Sequence, residues 1–363
     1  MHAITGHLQT YPWGRDGGLN PWLPEPGDGP QAELWFGAHS NGPSPLRDGP
    51  GSLADAVAPG SVPLLVKLLA AARPLSIQLH PSAAIAEAMF TAGSPLVADD
   101  GEKVELLVAL EPFSVFAGWR DEQAAAGLLR ATDGSLGPAA VAVEAGDTEA
   151  AVRMLLAVPR DQVAHLTPGF LAAAHEVGLD SEHVHSLALA AESFPGDAGL
   201  LVLSLMDHAL LVPGNAVYMP AGGVHAYAQG FGIEVMTSSD NVLRLGLTGK
   251  PLAIDEALGA LDPHGDPHFI GADVQMEHGH PTVTSYRPHL APFAVESIHH
   301  TTLHADSGQY RLVLSVRGTT EVTCADQMVV LGQGEAVAVL AGEPGIDVAT
   351  QDTAVVVQAT VNP

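Results

Sequence analysis

The sequence predicts a mainly β protein interrupted by a helical insertion, and three observations lead there. Aromatic residues make up 5% of the chain, against 39 glycines and 28 prolines in 363 residues, which suits short strands joined by frequent turns. Stretches such as Glu33-Leu-Trp-Phe-Gly and Leu75-Ser-Ile-Gln-Leu-His alternate apolar and polar positions with the period of a strand. Over residues 119–197 the pattern changes to alanine, leucine and valine at helical spacing.

Taken in order, residues 1–60 are turn-rich, with strands expected at 3–9 and 32–38 and a short helix at 52–58. Residues 61–81 pair a buried apolar segment carrying Lys67 with a strand at 75–80. In that strand Ser76, Gln78 and His80 share one face and Leu75, Ile77 and Leu79 the other. A polar triple backed by aliphatic residues suits a barrel whose interior is a site, and Gln78 and His80 could both reach one metal ion. A helix is expected at 83–91. The next strand begins Glu102-Lys-Val-Glu and puts Lys103, Glu105 and Leu107 on one face. Two charges there are costly if buried alone; a bound cation for Glu105 and a substrate anion for Lys103 would resolve the cost.

The insertion reads as four or five helices, with segments at 121–130, 148–158, 168–177 and 181–192. His183 and His185 lie about 200° apart around such a helix, so they are packing or surface residues and not a metal pair. A strand at 200–206 is expected to resume the sheet. It leads into 212–250, the stretch that organises the rest. There a Gly-Asn turn after Pro213, a strand at 216–219 and the bend Pro220, Gly222, Gly223 precede His225. This spacing resembles the second metal motif of the cupin β-barrels. Glu234 follows on a strand at 232–236. Arg244, flanked by leucines, needs an anionic partner, either Asp240 or a bound anion. A helix at 252–262 and a linker at 262–267 precede a run of strands to the end. That run repeats the earlier frame: Leu312-Val-Leu-Ser-Val echoes Leu201-Val-Leu-Ser-Leu, and Gly334, Leu340, Gly342 and Gly345 stand where Gly214, Pro220, Gly222 and His225 stood. Without the histidine, the second copy does not bind metal in that way. His299, His300 and His304 read as surface residues.

The net charge of −27 disfavours nucleic acid and anionic membranes as partners. No stretch is long and apolar enough to span a bilayer. A single cysteine, Cys324, excludes an internal disulfide and points to a reducing cytoplasm. The only lysines are Lys67, Lys103 and Lys250, and each falls in a segment singled out above. A phosphorylated substrate, otherwise repelled, would need such a local gathering of cations.

Together, Tyr11-Pro-Trp-Gly, Ala32-Glu-Leu-Trp-Phe-Gly-Ala-His, Leu75-Ser-Ile-Gln-Leu-His-Pro and Ser239-Asp-Asn-Val-Leu-Arg-Leu-Gly-Leu-Thr-Gly-Lys resemble the type I phosphomannose isomerases. The resemblance implies a cupin (jelly-roll) catalytic domain over 1–262, interrupted at about 119–197, and a cupin-like domain over 263–363 that lacks metal ligands. It also implies one zinc ion per chain, with Gln78, His80, Glu105 and His225 as ligands. Arg244 would lie at the reacting carbons and Lys67, Ser76 and Lys250 near the phosphate, with Asp240 among the substrate-binding residues. The implied reaction interconverts mannose 6-phosphate and fructose 6-phosphate through an enediol. Lys103 is the first candidate for the base and Glu234 the second. The sequence departs from the family where the usual His-Lys-Pro-Glu is Glu102-Lys-Val-Glu, and where Ser82, Ala84 and Ser40 replace the usual residues. Two rival readings are a metal-dependent cupin oxygenase, which would favour His-x-His over Gln78-x-His80, and a non-catalytic sugar-phosphate-binding protein. The expected partner is a small sugar phosphate, with no nucleic acid or membrane, and the expected state is a cytoplasmic monomer.

Overall fold

Strand Leu64–Ala71 is apolar throughout except for Lys67, and all of it is buried. Its two faces serve different cores, which is why it reads as a continuous run instead of an alternation. Leu64, Val66, Leu68 and Ala70 enter one cluster, while Leu69 and Ala71 enter another beside Leu107, Val217 and Met219. The same parity holds in the neighbouring strands. Leu106 and Val108 of Glu105–Ala109, and Ile233 and Val235 of His225–Thr237, face the first cluster. Lys67, Glu105 and Glu234 therefore emerge together on the opposite side, because side chains alternate along a strand.

The computed structural model describes residues 1–262, 265–270, 273–277, 280–289 and 291–360. It is mainly β with a helical insertion, as expected. The thirteen-residue strand His225–Thr237 organises the first half. Its early residues pair with Phe113–Trp119 and, through His225, with Ile77–Leu79; from Gly230 onward it pairs with Leu64–Ala71 and Glu105–Ala109. Gly230 makes the change of partners possible, since a Cβ there would lie 2.3 Å from the Phe113 ring. The expected barrel is not a closed ring of hydrogen bonds among the described residues: the eleven-stranded sheet keeps free edges.

The insertion packs on the outer face of strand Ile77–Leu79, where Ile77 and Leu79 join Leu128, Phe170, Leu187 and Leu243 in one core. Its helices are Glu122–Thr132, Gly137–Glu144, Thr148–Leu156, Arg160–Glu176 and Ser181–Ser193. Pro168 was expected to open a helix but lies inside Arg160–Glu176. The strand expected at 200–206 is instead a helix, Gly199–Val202, followed by a 3-10 turn, Leu203–Leu205; the strand begins only at Met206. A short apolar run buried on all sides carries no period that separates helix from strand. The echo of Leu201–Leu205 in strand Arg311–Arg317 is therefore one of composition only.

The glycine frame does repeat. Strand Ala216–Met219 lies between Gly214 and Gly222, at φ 88° and 79°, and strand Glu335–Val339 between Gly334 and Gly342, at φ 80° and 84°. The carboxy-terminal half packs a seven-stranded against a four-stranded sheet around Ile298, Val313, Val322, Val337, Val348 and Val356. The opposite face of the seven-stranded sheet, with Leu312, Leu314 and Val357, joins the core of the first half. The first strand, His2–Thr5, belongs to this second sheet, beside Glu335–Val339, and so crosses the expected division of the chain. The boundary at 262/263 and part of the expected linker lie outside the described residues.

Candidate metal centre and substrate cavity

His225 opens the long strand directly opposite Gln78. The turn before it is held by Gly222, whose left-handed φ of 79° suits glycine and whose N–H donates to the His80 carbonyl at 2.8 Å. A side chain at Gly222 would come within 2.5 Å of the Asp262 Cβ. Glu105 begins its strand across from Met219 and Met236. Three strands and one turn thus bring His80, Glu105 and His225 together, with ligand atoms all within 4.8 Å of one another.

The Glu105 Oε2 lies 3.3 Å from both His80 Nε2 and His225 Nε2. The other ring nitrogens face backbone carbonyls, His80 Nδ1 that of Asn241 at 2.8 Å and His225 Nδ1 that of Gly223 at 3.0 Å. With the proton on Nδ1, both Nε2 lone pairs point at the centre. Burial, and then Lys103, hold the His80 imidazole down to about 4. Burial alone would raise Glu105, but the positive charge of Lys103, and then the adjacent histidines, hold it well below the usual carboxylate range. His80 Nε2 and Glu105 Oε2 are buried with no hydrogen-bond partner. Two acceptors turned on each other in this way make a group that could hold a cation, since an unpartnered buried polar atom is costly.

Gln78 is the fourth expected ligand. Its amide nitrogen lies 3.2 Å from His225 Nε2, and its oxygen accepts from the Ser76 hydroxyl at 3.1 Å. The amide must turn over to offer oxygen to a cation, a choice set by its hydrogen bonds.

The candidate bases are each engaged. Lys103 Nζ is 2.7 Å from Glu105 Oε1. Glu234 Oε2 is 2.6 Å from Lys67 Nζ, with Glu33 3.8 Å from the same amine. Burial, then Glu105, push Glu234 up. For Lys67 the burial cost is outweighed by Glu234 and Glu33, which raise it above the usual lysine range. Lys67, expected near a phosphate, lines the cavity described next, pairs with these carboxylates and lies over the Trp35 ring at 5.4 Å.

A cavity of about 680 Å³ opens above this floor and is lined by Ser76, Gln78, Lys103, Glu105, Glu234, Asp240, Arg244 and Lys250. Arg244 has no ion-pair partner among the described residues, and burial alone lowers it. Asp240, one of its two expected partners, turns to His39 at 3.3 Å and Asn41 at 2.5 Å, which leaves the bound anion. Burial, then Arg244, lower Lys250. A half-buried guanidinium without a carboxylate makes this end of the cavity receptive to an anion. Sequence reasoning missed Arg73, Glu33, Asn41 and Phe194, which also line the cavity. Arg73 had a usable signal, since it lies two residues before the Leu75–Pro81 motif; Phe194 had none, because only packing of the insertion brings it here. His183 packs as expected, stacked on His208 at 4.5 Å between ring centroids.

The type I phosphomannose isomerase catalytic-domain model matches residues 1–122. The mannose-6-phosphate isomerase of Escherichia coli is 33% identical over 288 residues, covering 70% of this chain and 73% of that one. The chain belongs to the type I phosphomannose isomerase family. Mannose-6-phosphate isomerase 1 of Arabidopsis thaliana is 30% identical over 304 residues, covering 74% of this chain and 69% of that one. Among solved structures, a single-residue variant of phosphomannose isomerase from Salmonella typhimurium superimposes with a TM-score of 0.84 at 25% identity, over 99% of this chain and 100% of that one. A mannose 6-phosphate isomerase bound with zinc and yttrium gives 0.82 at 26% identity, with the same coverage. As a member of this family the chain is an enzyme, an isomerase with the cupin fold, which sets aside the oxygenase and non-catalytic readings. No helix among the described residues is long and apolar enough to cross a membrane.

Proposed function

We propose that the chain interconverts mannose 6-phosphate and fructose 6-phosphate through an enediol, with one zinc ion held by His80, Glu105, His225 and a turned Gln78. The observation that carries this reading is the pair of orphaned buried acceptors, His80 Nε2 and Glu105 Oε2, 3.3 Å apart. Nitrogen and oxygen donors beside an open cavity suit zinc, and a structural neighbour is bound with zinc. When bound, zinc would supply Lewis acidity to the substrate's carbonyl and hydroxyl oxygens.

The remaining work belongs to this chain's side chains. Lys250 and Ser76 receive the phosphate end, with Lys67 near it, and Arg244 balances the negative charge that develops as the proton leaves carbon. Asp240 orients the sugar hydroxyls. Lys103 carries the proton between the two carbons; a cation on Glu105 competes for the carboxylate that otherwise holds its amine at 2.7 Å. Glu234 is the alternative base, and Lys67 acts on the substrate through Glu234. Residues 1–262 form the catalytic unit, and residues 263–363 have a structural role. The chain works as a cytoplasmic monomer, which sedimentation and fractionation would check.

A coupled assay of mannose 6-phosphate conversion, with and without chelator, tests the reading. Activity is expected to disappear with chelator and to return with zinc. Full activity in a metal-free preparation would end it.

A further inference from the structure

The helical insertion does more than cover a sheet. After helix Ser181–Ser193 ends, Asp197 turns back onto the loop that follows strand Leu243–Gly246. Its Oδ1 accepts from the Gly199 N–H at 2.8 Å and the Leu247 N–H at 3.1 Å, and its Oδ2 accepts from the Thr248 N–H at 3.3 Å. One side chain thus ties two successive amides of a distant loop. The backbones meet without a side chain between them: a Cβ on Gly199 would lie 2.7 Å from the Leu247 nitrogen, and one on Gly246 2.6 Å from the Gly199 Cα.

The loop needs that support. Leu247 has φ 53° although it is not glycine, and its side chain is 1% exposed. A left-handed leucine crowds its own Cβ against the next carbonyl and has no polar group with which to offset the cost. The conformation persists only where surrounding structure imposes it. Its consequence is directional: Leu247, Thr248, Gly249 and Lys250 line the cavity, on the side where Arg244 is free of carboxylates. Thr248 Oγ1 then accepts from the Lys250 N–H at 3.1 Å, extending the hold one step further.

We propose that Asp197 is a positioning residue for substrate phosphate: its carboxylate holds Leu247 and Thr248 in the left-handed turn that delivers Thr248 and Lys250 to the anion end of the cavity. This rests on the reading that Lys250 receives the phosphate. Asp197 does not touch substrate; it acts through the backbone of the loop.

Asp197→Asn is nearly isosteric. It keeps an acceptor for Gly199 and Leu247 but sets an N–H against the Thr248 N–H. The Michaelis constant for mannose 6-phosphate and the inhibition constant of inorganic phosphate are expected to rise together by about five- to tenfold, with kcat changed far less and zinc still one per chain. In a Lys250→Met background, the same substitution is expected to add little to the loss of phosphate inhibition, because the charged one of the two groups it positions is gone. A merely structural role predicts the same penalty in both backgrounds. Three results overturn the proposal: both constants unchanged in the Asn variant, additive losses in the double variant, or loss of fold or metal in the Asn variant. If Lys250→Met leaves phosphate inhibition of the enzyme unchanged, the phosphate assignment itself fails. If Lys250→Met weakens inhibition and Asp197→Asn does not, only the role of Asp197 fails.

Discussion

Lys67 carries a charge into a strand of leucine, valine and alanine. Glu234 at 2.6 Å and Glu33 at 3.8 Å, itself held by the Trp35 indole N–H at 2.7 Å, make that tolerable. Removing the lysine leaves two buried carboxylates without a cation. Lys67→Met is expected to destabilise the fold by about 3–5 kcal/mol, measured by denaturant unfolding, with much of the loss restored by adding Glu234→Gln. Two other buried groups set a pH dependence. Burial, then mutual repulsion and Arg120, hold His183 down to about 3, and burial holds His208 down to about 4. Above the unfolded value of about 6.5 both states are neutral and stability is complete. As pH falls below it, the unfolded chain takes up protons that the folded chain refuses. Stability is then lost progressively toward pH 4, by about 2–4 kcal/mol at pH 5. Melting temperatures at pH 7 and pH 5 should separate accordingly, and less so for His208→Gln.

The turn before His225 and the strand after it do the positioning at the level of elements. Gly222 has the left-handed backbone, and its amide joins the turn to the His80 carbonyl. Gly222→Ala would therefore disturb two ligands at once. The expected outcome is weaker zinc retention under mild chelation, with a stability loss of about 1–3 kcal/mol. Unchanged metal affinity would show that this turn does not set the geometry of the centre. This element was legible in advance because glycine and proline spacing encodes backbone shape locally. The segment at 200–206 was not, because its apolar run suits either a buried helix or a buried strand, and docking of the insertion decides between them.

At the scale of the whole molecule, a net charge of −27 surrounds a cavity whose anion end gathers Arg244 and Lys250. The overall field repels a phosphorylated substrate at long range, while the local cations attract it at short range. Salt screens exposed charges over about 10 Å at 0.1 M, and half-buried ones less. Raising ionic strength from low values to that level should therefore increase kcat/KM for mannose 6-phosphate; a steady fall would mean that the cavity's own charge dominates the approach. Periodicity and turn chemistry are local properties, so the sequence by itself determined the mainly β class, the helical insertion, the face shared by Ser76, Gln78 and His80, and the turn that presents His225. Pairings between residues far apart in the chain were decided only by the tertiary structure. Lys67 is paired with Glu234, Asp240 is joined to His39 and not to Arg244, and Asp197 reaches across to Leu247. Such partners depend on which strands and helices come to lie side by side, and nothing in the spacing of one segment specifies the neighbour that packing will bring to it.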